Sequence, residues 1–124
     1  MIRIIIAGSR NFNDYALLEK ALNKYIEDTK INPDEIEIVS GHARGADSLG
    51  ELFAKNNKLQ LTKFPAQWDK YGKSAGFLRN REMADYALQE TGVLFAFWDG
   101  QSRGTNHMIN FSREKGLEVH VVQF

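Results

Sequence analysis

The chain has no cysteine among its 124 residues. Thiolate catalysis, cysteine-ligated zinc and disulfide bridges are therefore excluded. Charge of one sign is also missing, because sixteen lysines and arginines balance sixteen aspartates and glutamates. That neutrality argues against a strong general affinity for nucleic acid or an anionic membrane, while leaving room for a local basic face. No apolar run approaches membrane-spanning length, and no charged stretch precedes an apolar leader at the start. Low-complexity tracts are absent too. The expectation is one soluble, cytoplasmic domain covering residues 1–124, long enough to bury a real core.

What is present is a strict alternation of apolar patterns. Ile2–Ala7 is almost continuously apolar, as in a strand buried on both faces. Leu17, Leu18, Ala21, Leu22, Tyr25 and Ile26 recur at helical spacing after Asn13 or Asp14, either of which can cap. Asn32-Pro33-Asp34 breaks the chain before a second strand at Ile36–Ser40. A helix then runs from Ala46 to near Asn56. A third strand follows at Leu59–Phe64, a helix at Ala75–Glu90, a strongly apolar strand at Val93–Trp98, a helix at Thr105–Lys115 and a last strand at Glu118–Gln123. Such β-α alternation implies a Rossmann-like α/β domain of three layers: a five-stranded parallel sheet with helices on both faces. The most apolar strands belong in the middle, which gives the order 3-2-1-4-5 with a switch point between the first and fourth strands. Ligands bind at such a point, beyond the carboxyl ends of the strands.

Four loops following strands hold an outsized share of the unusual residues. Gly8–Asp14, Ser40–Asp47, Pro65–Gly76 and Trp98–Thr105 contain seven of the ten glycines and both tryptophans. In the first, Gly8 permits a tight turn and close approach, Ser9 can hydrogen-bond, and Arg10 can pair with phosphate or carboxylate. The second is Ser40-Gly41-His42-Ala43-Arg44-Gly45-Ala46-Asp47. Its two glycines flank Arg44 before a helix start, where free N–H groups and the dipole favour an anion. Asp47 either caps its own loop or accepts from a ribose hydroxyl, and His42 reads as a loop residue. The third loop is long for its position. Trp68 or Tyr71 can stack on a base and Lys70 or Lys73 can meet a phosphate, or Trp68 can simply pin the loop. Arg79 and Asn80 lie near the following helix start, whereas Arg81 reads as a solvated charge. The fourth loop, Trp98-Asp99-Gly100-Gln101-Ser102-Arg103-Gly104-Thr105, repeats the physics of the first. Thr105 caps the helix or binds a phosphate oxygen. Asp99 stands where a catalytic carboxylate would stand, or ties the loop to its neighbours.

The Walker loop, the G-x-S-x-G elbow, H-E-x-x-H and the dinucleotide fingerprint G-x-G-x-x-G after the first strand are all missing. His42, His107 and His120 lack a metal-ligand spacing, so neither a metal nor another cofactor is expected.

The ordered set Gly8-Ser9-Arg10, Ser40–Asp47, Phe77-Leu78-Arg79-Asn80-Arg81 and Trp98–Thr105 resembles the SLOG superfamily, and its short YspA-type branch most of all. That superfamily consists of Rossmann-like nucleotide-binding proteins related to DprA and to the LOG phosphoribohydrolases. Ser40–Asp47 is similar to the S-G-x-A-x-G-[IA]-D segment, and Phe77–Arg81 to the F-x-R-N-R of DprA-like members. Trp98–Thr105 stands where LOG enzymes have P-G-G-x-G-T-x-x-E. Two positions depart from the pattern: Met108 replaces the LOG glutamate and Asp99 replaces the first glycine of the pair.

The resemblance implies a domain that binds a nucleotide or a derivative such as ADP-ribose. Its phosphate would be held at Gly8–Arg10, Gly41–Asp47 and Arg103–Thr105, neutralised by Arg10, Arg44 and Arg103, with Trp68, Tyr71 or Trp98 against the base. Gly100 and Ser102 complete that set. Two alternatives remain open. One is a hydrolase acting on an N-glycosidic or phosphate bond, with Asp99 and Asp47 as candidate carboxylates. The other is DprA-like binding of single-stranded nucleic acid through the basic Lys63–Arg81 stretch. Pairing of family members implies a homo-oligomer.

Overall fold

The computed structural model describes residues 1–124. Five parallel strands form one sheet: β1 (Ile2–Gly8), β2 (Ile36–Ser40), β3 (Gln60–Lys63), β4 (Thr91–Trp98) and β5 (Glu118–Gln123), in the order β3-β2-β1-β4-β5. The helices are α1 (Tyr15–Thr29), α2 (Ala46–Asn56), α3 (Trp68–Tyr71), α4 (Ala75–Leu88) and α5 (Arg103–Lys115). The strand order is the one that the apolar runs imply. β1 is paired along its whole length, with Ile6 opposite Ser40 on one side and Phe95 on the other.

Because successive side chains of a strand point to opposite faces, the buried strands feed two cores. Ile4, Ile6, Ile38, Phe95 and Phe97 pack with Leu18, Leu22 and Phe53 under α1 and α2. Ile5, Val39, Leu94 and Ala96 pack with Met83, Ala87, Met108 and Ile109 under α4 and α5. Helices therefore cover both faces.

Local departures from the sequence pattern have physical causes. The long loop after β3 is not featureless, since α3 and a 3-10 turn at Gly72–Ser74 lead directly into α4. α5 starts at Arg103, two residues before Thr105, because Ser102 is the cap: its side chain accepts from the Thr105 N–H. Thr105 is buried one turn further in. No helix is long and apolar enough to cross a membrane.

Candidate functional site

β1 and β4 lie side by side at the switch point, and α2, α4 and α5 start around their carboxyl ends. There the structure has a cavity of about 530 Å³, within the size range of small-ligand sites. Of the residues expected at a site, Gly8, Ser9, Arg10, Asp47, Trp68, Arg79, Asn80, Asp99, Ser102, Gly104 and Thr105 line it. Met83 and Met108 contribute apolar wall, and Phe77 joins the exposed Trp68 at the rim. Lys73, one of the two lysines expected to meet a phosphate, also lines the cavity, whereas Asn11 and Phe77 line it without having been singled out for a site role. A signal for Phe77 was present, because it directly precedes Leu78-Arg79-Asn80 at the start of a helix that faces the switch point.

Ser9 is the joint of the site. Its N–H donates to the Phe97 carbonyl at 2.9 Å, and its carbonyl accepts from Phe12 at 3.1 Å and Ala46 at 3.5 Å. Its hydroxyl oxygen accepts the Asp99 N–H at 3.2 Å. One fully buried serine thereby binds together the loops after β1, β2 and β4. This corrects the expectation that the Ser9 amide faces an anion: the amide is consumed by strand pairing. Gly8 serves the same close packing, since a Cβ there would lie 2.7 Å from Ala46 Cβ and against the Phe97 carbonyl oxygen. The first loop is also not a helix start. It is a turn, and α1 begins only at Tyr15, capped by Asp14.

Free donors remain nonetheless. The N–H groups of Arg10 and Asn11 in the turn, Asp47 and Ser48 at the start of α2, and Arg103 and Gly104 at the start of α5 have no acceptor within the protein. α2 lacks any side-chain cap, because Gly45 stands at that position. Gly45 has φ +77°, and a Cβ there would sit 2.7 Å from the Arg10 carbonyl oxygen. Only glycine allows the two loops this close.

The charged groups are arranged around Gly41. A Cβ at that position would come within 2.5 Å of the Arg79 guanidinium and 2.9 Å of Asp47 Oδ2. Arg79 donates to the Gly41 carbonyl at 2.5 Å and to Asn80 Oδ1 at 3.2 Å. Asn80 in turn donates to the Gly104 carbonyl at 3.3 Å, and its amide nitrogen lies 3.2 Å from His107 Nδ1. This chain of bonds spans the cavity from the β2 loop to α5. Burial pushes the Asp47 carboxyl up to about 6, against the lowering influence of Arg79 and the Ala43 N–H. Burial also holds Arg79 below the usual guanidinium range, with Asp47 acting the other way. Asp99 is the opposite case. Its Oδ1 accepts from Gln101 at 2.9 Å and Ser102 at 2.8 Å, and these bonds hold its carboxyl below the ordinary value.

Several expected residues lie elsewhere. Gly41 and Arg44 line a smaller depression next to the cavity. Trp98 lies on the sheet face under α4 and α5 but away from the cavity: it donates to the Ser102 carbonyl at 3.0 Å and borders a groove between α5 and β5. Ser40 is fully buried and donates to Glu51 at 2.8 Å, with His42 Nδ1 on the same carboxylate oxygen at 2.9 Å. Gly45, Tyr71, Gly100 and Arg103 are not among the cavity's lining residues. Met108 is buried in the cavity wall.

Residues 2–71 match the family described as YAcAr: YspA, cpYpsA-related SLOG family. The chain is 32% identical over 124 residues to the Gene 61 protein of Mycobacterium phage D29, covering 96% of this chain and 94% of that one. The X-ray structure of DNA processing protein A (DprA) from Streptococcus pneumoniae matches 97% of this chain with a TM-score of 0.52 and 17% identity. The chain spans 58% of that DprA chain, and the likeness is one of fold.

Proposed function

The chain belongs to the YspA, cpYpsA-related SLOG family, and from that premise we propose that it binds a nucleotide or a nucleotide-derived ligand in the cavity at the β1/β4 switch point. The observation that carries this reading is the meeting of unlike groups around one cavity. Unpaired N–H groups from the β1 turn and the starts of α2 and α5 suit phosphate, helped by two helix dipoles. Arg10 and Arg79 supply charge-assisted donors. The exposed faces of Trp68 and Phe77 suit a base, and Asp47 suits a ribose hydroxyl. The neutral chain argues against a DprA-like grip on single strands, which rests on phosphate neutralisation. A panel of mono-, di- and cyclic nucleotides with ADP-ribose, read by thermal shift and calorimetry, tests it. A ligand at a hundred times its Kd adds about 2.7 kcal/mol of stability. Silence across the whole panel overturns the proposal.

One observation favours hydrolysis as a second reading. Asp47 is a buried carboxyl raised to about 6 inside the cavity, poised to hold or release a proton near neutral pH. Asp99, held ionised by its own loop, is suited to tying that loop. Turnover of a nucleotide panel by the intact protein, abolished in Asp47→Asn and retained in Asp99→Asn, would establish this reading. Absence of any product would remove it and leave binding alone.

A further inference from the structure

Next to the main cavity lies a second depression of about 350 Å³. Arg10, Arg44 and Arg79 line it, together with Trp68 and Pro65, and no carboxylate does. Arg10, Ala43, Trp68 and Arg79 border both spaces, so the two adjoin. None of the three arginines is ion-paired, whereas Arg3 is held by Glu37 at 3.2 Å and Glu51 is taken by His42 and Lys63. Arg79 uses Nε and Nη1 on Asn80 and Gly41, and its Nη2 has no acceptor. Asp47 offsets part of the charge of Arg79 and Arg10, but Arg44 meets no carboxylate, and in a chain of zero net charge the three guanidiniums leave a local positive potential that an anion relieves. The planar fork of arginine fits phosphate oxygens two at a time.

The geometry points to a second phosphate subsite, with the nucleoside in the main cavity and Arg44 on a phosphate beyond the first. The ligand class is then nucleoside diphosphates and other pyrophosphate-bearing nucleotides, in preference to monophosphates. This inference rests on the nucleotide reading of the main cavity. Arg44 is exposed and makes no hydrogen bond through its side chain, so Arg44→Gln leaves the fold intact, which its thermal midpoint verifies.

Calorimetry on the pairs AMP/ADP, GMP/GDP, CMP/CDP and UMP/UDP supplies the test. In at least one pair the diphosphate binds about tenfold or more tightly than the monophosphate. In Arg44→Gln that ratio falls to about twofold or less. Equal binding of both members in the wild-type protein overturns the second subsite and leaves the main-cavity reading standing. A preference that survives Arg44→Gln also overturns it. Binding by neither member of any pair overturns the second subsite, while the main-cavity reading falls only if cyclic nucleotides and ADP-ribose are silent as well.

Discussion

The loops after β2 and β4 are built from the same kinds of residue, and the structure uses them in opposite ways. Each holds an aspartate, an arginine and a glycine at positive φ before a helix that borders the cavity. In the β2 loop, Gly45 is jammed against the β1 turn, Asp47 is buried with a raised carboxyl, and α2 has no side-chain cap. In the β4 loop, Gly100 has open space around it, Asp99 is satisfied by its own loop with a lowered carboxyl, and Ser102 caps α5. The β2 loop is shaped by the rest of the molecule and leaves its helix start uncapped. The β4 loop supplies its own cap and its own partners for the Asp99 carboxylate, and only the Arg103 and Gly104 amides stay free. Residue type alone therefore does not mark a ligand site; strain and unmet hydrogen-bonding capacity do so better.

Glycine substitution should break this comparison most sharply. Gly45→Ala combines a left-handed backbone with a methyl group driven into two backbone carbonyls, which have no room to yield. The expected loss is about 3–5 kcal/mol in denaturant unfolding. A loss under 1 kcal/mol would mean that the close approach of the β1 and β2 loops is not a real constraint.

Asp47→Asn comes next, with the opposite sign. The folded carboxyl is raised from the ordinary 3.8 to about 6. Its stabilising protonated form is present below pH 4 and is lost as pH rises through about 6. At pH 7.5 the buried charge costs about 3 kcal/mol. Asparagine still accepts from Ala43 N–H, so the variant should be more stable at pH 7.5 and no more stable at pH 4. Nucleotide binding should weaken in the same variant. Thermal unfolding at both pH values checks the first half, and calorimetry the second. A variant that gains no stability at pH 7.5 would show that Arg79 fully compensates Asp47.

The strand order was legible because β1 and β4 are apolar on both faces, and only central strands need that. Boundaries were less so: the Ser102 cap moved the start of α5, and α3 was hidden because four residues carry too little periodicity. The site was legible as a region. Arg79 and Asn80 could be preferred to Arg81 because neighbouring helical residues diverge, and Arg81 indeed lies over Phe111 on the outside. Trp98 was not legible, since alternation along a strand says only that its side chain leaves one face, not that a groove beside α5 receives it. Nor was Ser9, whose work is done mostly through backbone atoms that any residue carries.

Gly100→Ala sharpens the contrast with Gly45. Its φ is +83°, yet nothing lies within 4 Å of where a Cβ would be. Only backbone strain opposes the methyl, at about 1 kcal/mol. Unfolding of the two alanine variants under one condition separates strain from crowding. Equal losses would remove crowding as the distinguishing feature of the β2 loop.

Ser102→Ala is expected to have the smallest effect. The serine oxygen takes the Thr105 N–H at 3.4 Å, a long bond, and shares a 3.1 Å contact with the Thr105 hydroxyl. Loss of this cap should cost about 0.5 kcal/mol, the low end for such residues. The interest lies in the ligand-bound protein. If phosphate sits on the α5 start, it satisfies the amides that Ser102 partly serves, and the penalty should shrink when nucleotide is present. If the phosphate sits only against the uncapped α2, the penalty should be the same with and without nucleotide. A thermal-shift comparison of wild type and Ser102→Ala, each with and without ligand, thus assigns the anion to one loop or to both.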